Sequence, residues 1–117
     1  MTITICHNPA CGTSRAVLEM IQAKGLRPRV IEYLKTPLSN AELKQLLKKM
    51  KAKPRDILRA KGELYEELNI IDPKWTDEEL IDFMAKNPVL MNRPIVVTDK
   101  AARLCRPAET VMELLGE

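Results

Sequence analysis

Aromatic residues are scarce in this chain of 117 residues. Only 3% of it is Phe, Trp or Tyr, too little for the stacking platforms that hold single-stranded nucleic acid, so no nucleic-acid partner is expected. No apolar run is long enough to span a bilayer, and no charged-then-apolar leader opens at Met1. No membrane partner is therefore expected, and the cytoplasm is the default compartment. Three cysteines leave one over from any pairing, which argues against a disulfide framework and for reduced thiols. One histidine and the spacing Cys6-x4-Cys11 give no recognisable zinc-ligand set, so no metal is expected. Internal repeats and low-complexity linkers are also missing. The net charge of +3 is mild, and much of it lies between Lys44 and Lys53, where it reads as a solvated helix face rather than a polyphosphate site.

What is present suits a single compact domain: 45% hydrophobic and 30% charged residues in a length able to bury a core without staples. Thr2 to Cys6 reads as a buried strand. Thr13 to Lys24 has Ala16, Val17, Met20 and Ile21 on one helical face and stops at Gly25. Arg29 to Leu34, rich in β-branched and aromatic residues, reads as a second strand. Ser39 caps a helix over Ala41–Met50, Pro54 opens a short helix through Ile57 and Leu58, and Tyr65–Leu68 adds a turn. Thr76 and Glu79 form a capping-box pattern for a helix that should stop near Asn87-Pro88. Pro94–Thr98 and Ala102–Cys105 read as strands joined by a turn at Asp99-Lys100, and Pro107 opens a last helix over Ala108–Leu115.

The expected fold is therefore α/β, with a four-stranded mixed sheet flanked by helices. The layout is thioredoxin-like: a β-α-β half and a β-β-α half with a helical insertion around 39–88, all in one domain over 1–117. Strands one and two should be parallel and the terminal hairpin antiparallel.

The segment His7-Asn8-Pro9-Ala10-Cys11-Gly12-Thr13-Ser14-Arg15 joins the first strand to the first helix. Free cysteine is usually an inert core hydrophobe, but Gly12, Thr13 and Ser14 favour a turn and helix cap here. At a helix N-terminus, unpaired N–H groups and the helix dipole stabilise a thiolate, the nucleophilic form. Arg15 adds a cation nearby. Serine at position 14 stands where a dithiol oxidoreductase would need its resolving thiol. The site must then use an outside thiol, Cys6 or Cys105, and both of those read as buried. A phosphatase-type Cys-x5-Arg cradle fails on spacing, since the sixth residue after Cys11 is Val17. His7, at a strand end, is either a tuner of the thiol or a satisfied hydrogen-bond partner.

Arginine is suited to bidentate capture of tetrahedral oxyanions, and its charge lowers a nearby thiol pKa. The candidates are Arg59, Arg93, Arg103 and Arg106, although each taken singly could be a surface or salt-bridging residue. Arg93 leads, because a cis Pro94 before a strand would stand beside the reactive cysteine in a thioredoxin-like fold.

Across essentially its whole length the chain resembles the glutaredoxin-coupled arsenate reductases. The resemblance rests on His7–Arg15, on Asn92-Arg93-Pro94-Ile95-Val96-Val97 and on Arg103-Leu104-Cys105-Arg106-Pro107. It also includes Leu58-Arg59, Tyr65–Leu68 and Leu80–Met84. It implies that Cys11 attacks arsenate, that Arg59, Arg93 and Arg106 bind the oxyanion, and that His7 and Ser14 assist the thiolate. Asn8, Gly12, Thr13, Arg15 and Pro94 complete the implied site. No bound cofactor is implied; glutathione is the co-substrate, glutaredoxin the partner that regenerates the enzyme, and a monomer is expected. Two other readings remain open: a monothiol glutaredoxin-like protein acting on glutathione mixed disulfides, and a non-catalytic redox regulator. The regulators typically carry a Cys-x-x-Cys switch, which Ser14 breaks.

Overall fold

Strand β1 (Thr4–Cys6) lies inside the sheet, between β2 (Arg29–Ile31) and β3 (Ile95–Val97), with β4 (Ala102–Leu104) on the far edge. The computed structural model describes residues 2–116. β1 and β2 are parallel, with Cys6 opposite Ile31, while β1–β3 and β3–β4 are antiparallel. The mixed four-stranded sheet and its strand directions are those expected. Every strand is shorter than its sequence pattern suggested.

The chain divides into two compact units, one up to Thr36 together with the segment from Arg93 onward, the other from Pro37 to Asn92. In the first, the parallel crossover is α1 (Gly12–Ala23). Ser14, Val17 and Ile21 recur at spacings of three and four and form its buried stripe. Val17 and Ile21 join Ile3, Ile5, Val96, Cys105 and Val111 in one core. Burying each large aliphatic side chain there contributes roughly 1.5–3 kcal/mol. Gly25 (φ 77°) ends the helix in the left-handed region that other residues avoid, and donates to the Gln22 carbonyl.

Two expectations in this unit are corrected. The segment to Leu34 does not continue as a strand, because Lys35 and Thr36 both donate to the Glu32 carbonyl and close a turn. Pro107 does not lead straight into an α-helix: a 3-10 turn (Ala108–Thr110) precedes the short α5 (Val111–Leu114).

The second unit is helical and interrupts the first in chain order. Reciprocal capping boxes open α2 (Asn40–Met50) at Ser39/Glu42 and α4 (Asp77–Lys86) at Thr76/Glu79. Leu43, Leu46 and Leu47 of α2 are buried, as are Leu80, Ile81 and Met84 of α4. Lys44, Lys48 and Lys49 are exposed, as the solvated-face reading requires. Between these helices lie a 3-10 turn (Pro54–Ile57) and α3 (Glu63–Glu67). Leu58 and Met91 form an isolated antiparallel bridge, flanked by Arg59 N–H to Leu90 and Asn92 N–H to Ile57, each at 2.7 Å. No helix among the described residues is long and apolar enough to cross a membrane.

Candidate active site

Where β1 ends, the His7 N–H donates to the Ile31 carbonyl at 2.8 Å and carries the parallel pairing one residue further. The chain then turns sharply. Cys11 N–H donates to the Asn8 carbonyl at 3.0 Å, and the Asn8 side-chain oxygen accepts from Ala10 N–H at 3.0 Å. This double closure delivers Cys11 to the N-cap of α1 with extended backbone (φ −93°, ψ 122°), and its carbonyl accepts the first helical bond, from Arg15 N–H. The sequence expectation of a cysteine at a helix N-terminus is met. Arg15 also reaches back, its Nη1 donating to the Pro9 carbonyl at 2.9 Å. Thr13 occupies the first turn, and an added Cβ at Gly12 would meet only the Arg15 guanidinium at 3.8 Å.

Ser14 is wholly buried and joins the turn to the strand. Its Oγ accepts from Asn8 N–H at 3.1 Å and lies 2.6 Å from His7 Nδ1. In that short contact the hydroxyl donates or accepts according to the imidazole tautomer. Burial lowers the His7 pKa; Glu32 opposes this and Arg15 adds to it. The ring is therefore neutral at pH 7, and its direct partner is Ser14 rather than the sulfur.

The β3–β4 hairpin supplies two arginines. Arg93 precedes β3 and Arg106 follows β4, and the Cys105 N–H to Pro94 carbonyl bond holds the two hairpin ends together. Both the Arg93–Pro94 and Arg106–Pro107 peptides are cis; only the first was foreseen. Arg106 Nη1 donates to the Arg93 carbonyl at 3.0 Å and lies 3.6 Å from the Cys11 sulfur. Arg93 also hydrogen-bonds the sulfur through its side chain.

These donors decide the ionisation of Cys11. The residue is 8% exposed, and burial by itself pushes the thiol up. The Ser14 backbone N–H, then Arg106 and Arg93, outweigh that and lower it to about 7. The thiolate is therefore much more populated near neutral pH than that of an unperturbed cysteine.

The remaining candidates separate cleanly. Arg103 is salt-bridged to Glu113 at 2.7 Å on the surface. Arg59 belongs to the helical unit, half-buried at the Leu58–Met91 bridge. Cys6 and Cys105 are buried, as read from the sequence. Among the described residues no three His, Cys, Asp or Glu side chains cluster as metal ligands.

One residue escaped the sequence reading. Tyr33, taken as part of a strand, is 1% exposed and in electrostatic reach of both Arg93 and Cys11. Its signal was a large aromatic with a polar tip just past the strand that pairs with the active-site strand.

Residues 6–114 match the ArsC family. The chain is 54% identical over 115 residues to an arsenate reductase of Escherichia coli (strain K12), covering 98% of this chain and 82% of that protein. It is 50% identical over 117 residues to an arsenate reductase of Rhizobium meliloti (strain 1021), covering 100% and 84%. Among solved structures, an arsenate reductase from Vibrio cholerae superposes with a TM-score of 0.93 at 43% identity, over 97% of each chain.

Proposed function

The chain belongs to the ArsC family, thioredoxin-like in fold, and from this we propose that it is an arsenate reductase using the Cys11 thiolate as nucleophile. The observation that carries the reading is the sulfur itself. It is held at a helix N-terminus, shifted to about 7, with the Arg106 guanidinium 3.6 Å away.

In the proposed reaction the Cys11 thiolate attacks the arsenic of arsenate, a sulfur–arsenic bond forms, and an oxygen leaves as water or hydroxide. Arg93 and Arg106 hold the oxyanion and offset the charge that gathers on its oxygens. Arg59 enters this reading through the family resemblance. The thiolate of glutathione then attacks the Cys11 sulfur. As that sulfur–sulfur bond forms, the sulfur–arsenic bond breaks with its electron pair remaining on arsenic, and arsenite departs. The two electrons come from the two thiols, which are left as a mixed disulfide. Ser14 cannot resolve it as a second cysteine would, so an external thiol is needed, and glutaredoxin fits that role. The stretch around 39–88 is read as a helical insertion in one thioredoxin-like domain. A cytoplasmic setting supplies glutathione and keeps Cys11 reduced.

The test couples arsenate reduction to NADPH oxidation through glutathione, glutathione reductase and glutaredoxin. Arsenate-dependent oxidation is expected, and it should vanish in Cys11→Ser. Turnover surviving that substitution would sink the mechanism.

A further inference from the structure

We propose that Arg15 is a positioning residue for the Cys11 thiol, its guanidinium clamping the Asn8–Cys11 turn through the Pro9 carbonyl. This deepens the arsenate reductase reading and rests on it only for the effect on turnover.

Pro9, Ala10 and Gly12 are exposed, so the turn that carries the sulfur has little apolar burial to fix its shape. Its conformation depends instead on its hydrogen bonds. Cys11 N–H donates to the Asn8 carbonyl and Ala10 N–H to Asn8 Oδ1, each at 3.0 Å. Asn8 N–H is tied to helix α1 through Ser14 Oγ at 3.1 Å. Pro9 is the hardest residue of the turn to hold, because proline has no N–H and offers only its carbonyl. Arg15 holds it there, Nη1 donating to that carbonyl at 2.9 Å.

Arg15 also donates its backbone N–H to the Cys11 carbonyl at 3.0 Å. It therefore grips the two carbonyls that bracket Ala10, one with its backbone and one with its side chain. The backbone grip comes with any helix that starts at Cys11; the second needs a long side chain tipped with a donor. The guanidinium lies alongside Gly12, where even an added Cβ would only reach van der Waals contact, 3.8 Å from Nη2. Among the described residues no carboxylate pairs with Arg15, so none competes with Pro9 for it. Nor does the sulfur use it: the donors that lower Cys11 are the Ser14 N–H, Arg106 and Arg93. The guanidinium acts on the backbone beside the sulfur and keeps Cys11 aligned with those three donors.

Arg15 is exposed, so Arg15→Ala leaves the core intact and removes only the side-chain grip. Arg15→Met, which keeps the aliphatic stem and loses the donors, should behave alike. The probe is iodoacetamide, with Cys11 alkylation followed by mass from pH 5 to 9, which needs no arsenate. In both variants the midpoint should rise by about half a pH unit, slowing alkylation at pH 7 about twofold. Loss of a charge acting through space would shift the midpoint the same way, but that effect fades with salt, whereas a displaced sulfur stays displaced. The shift should therefore persist in about 1 M potassium chloride. With arsenate, kcat should fall while the KM values for arsenate and glutathione change less. An unshifted profile, or a shift that disappears at high salt, would overturn the proposal. So would raised KM values with alkylation unchanged, which would make Arg15 an anion-binding residue. A salt-resistant shift in a protein that never reduces arsenate would leave the proposal standing and remove the arsenate reading instead.

Discussion

The N-terminus of α1 and the end of β4 each bury a cysteine, and the two thiols are driven in opposite directions. Cys105 is wholly buried in the core with Ile5, Val17 and Val96. Burial pushes it up to about 12, and the smaller pulls of Arg103 and the Val96 backbone do not compensate. The thiol also donates to the Arg103 carbonyl at 3.7 Å, which favours the protonated form. Cys11 is nearly as inaccessible, at 8%, yet falls to about 7 because three donors address its sulfur. Burial does not distinguish a reactive cysteine from a structural one. The count of donors aimed at the sulfur does.

The contrast is broken most severely at Cys11. Cys11→Ser should abolish arsenate turnover in the coupled assay, while Cys105→Ala should retain it. Next in size is the pH dependence of thiol reactivity. A lowered pKa means the thiolate accumulates as pH rises, so Cys11 alkylation should climb through pH 7 and level off above about pH 8. Cys105 should stay unmodified over the same range in the folded protein. Arg106→Ala removes a charge-assisted bond worth ~1.5–3 kcal/mol, so arsenate kcat/KM should fall by roughly tenfold to a hundredfold. Its alkylation midpoint should also rise. Unchanged kinetics and an unchanged midpoint in that variant would remove Arg106 from the site. The smallest effect belongs to Cys105→Ala, which trims a core contact and should cost about 1 kcal/mol of stability in a denaturant titration, with activity intact.

The features most legible in the sequence are those whose causes are local. Ser39 with Glu42 and Thr76 with Glu79 announce two helices because a capping box is completed within four residues. The position of Cys11 at a helix start follows from Gly12, Thr13 and Ser14 for the same reason. Tyr33 and Leu34 were misassigned because their β-propensity is real but the Glu32 carbonyl closes a turn over them. The arginines show the same divide. Arg93, Arg103 and Arg106 look alike in sequence, and only the pairing of β3 and β4 turns Arg106 toward the sulfur and Arg103 toward Glu113. The burial of Tyr33 within electrostatic reach of Arg93 and Cys11 was missed because it depends on tertiary placement, which no short motif records.

One nitrogen of Arg106 serves two acceptors, a sulfur whose charge comes and goes and a backbone carbonyl whose partial charge never changes. Capping the sulfur covalently releases the first hold and leaves the second. The guanidinium is therefore moored rather than merely attracted, and a positive charge waits beside position 11 through every stage in which that sulfur is neutral.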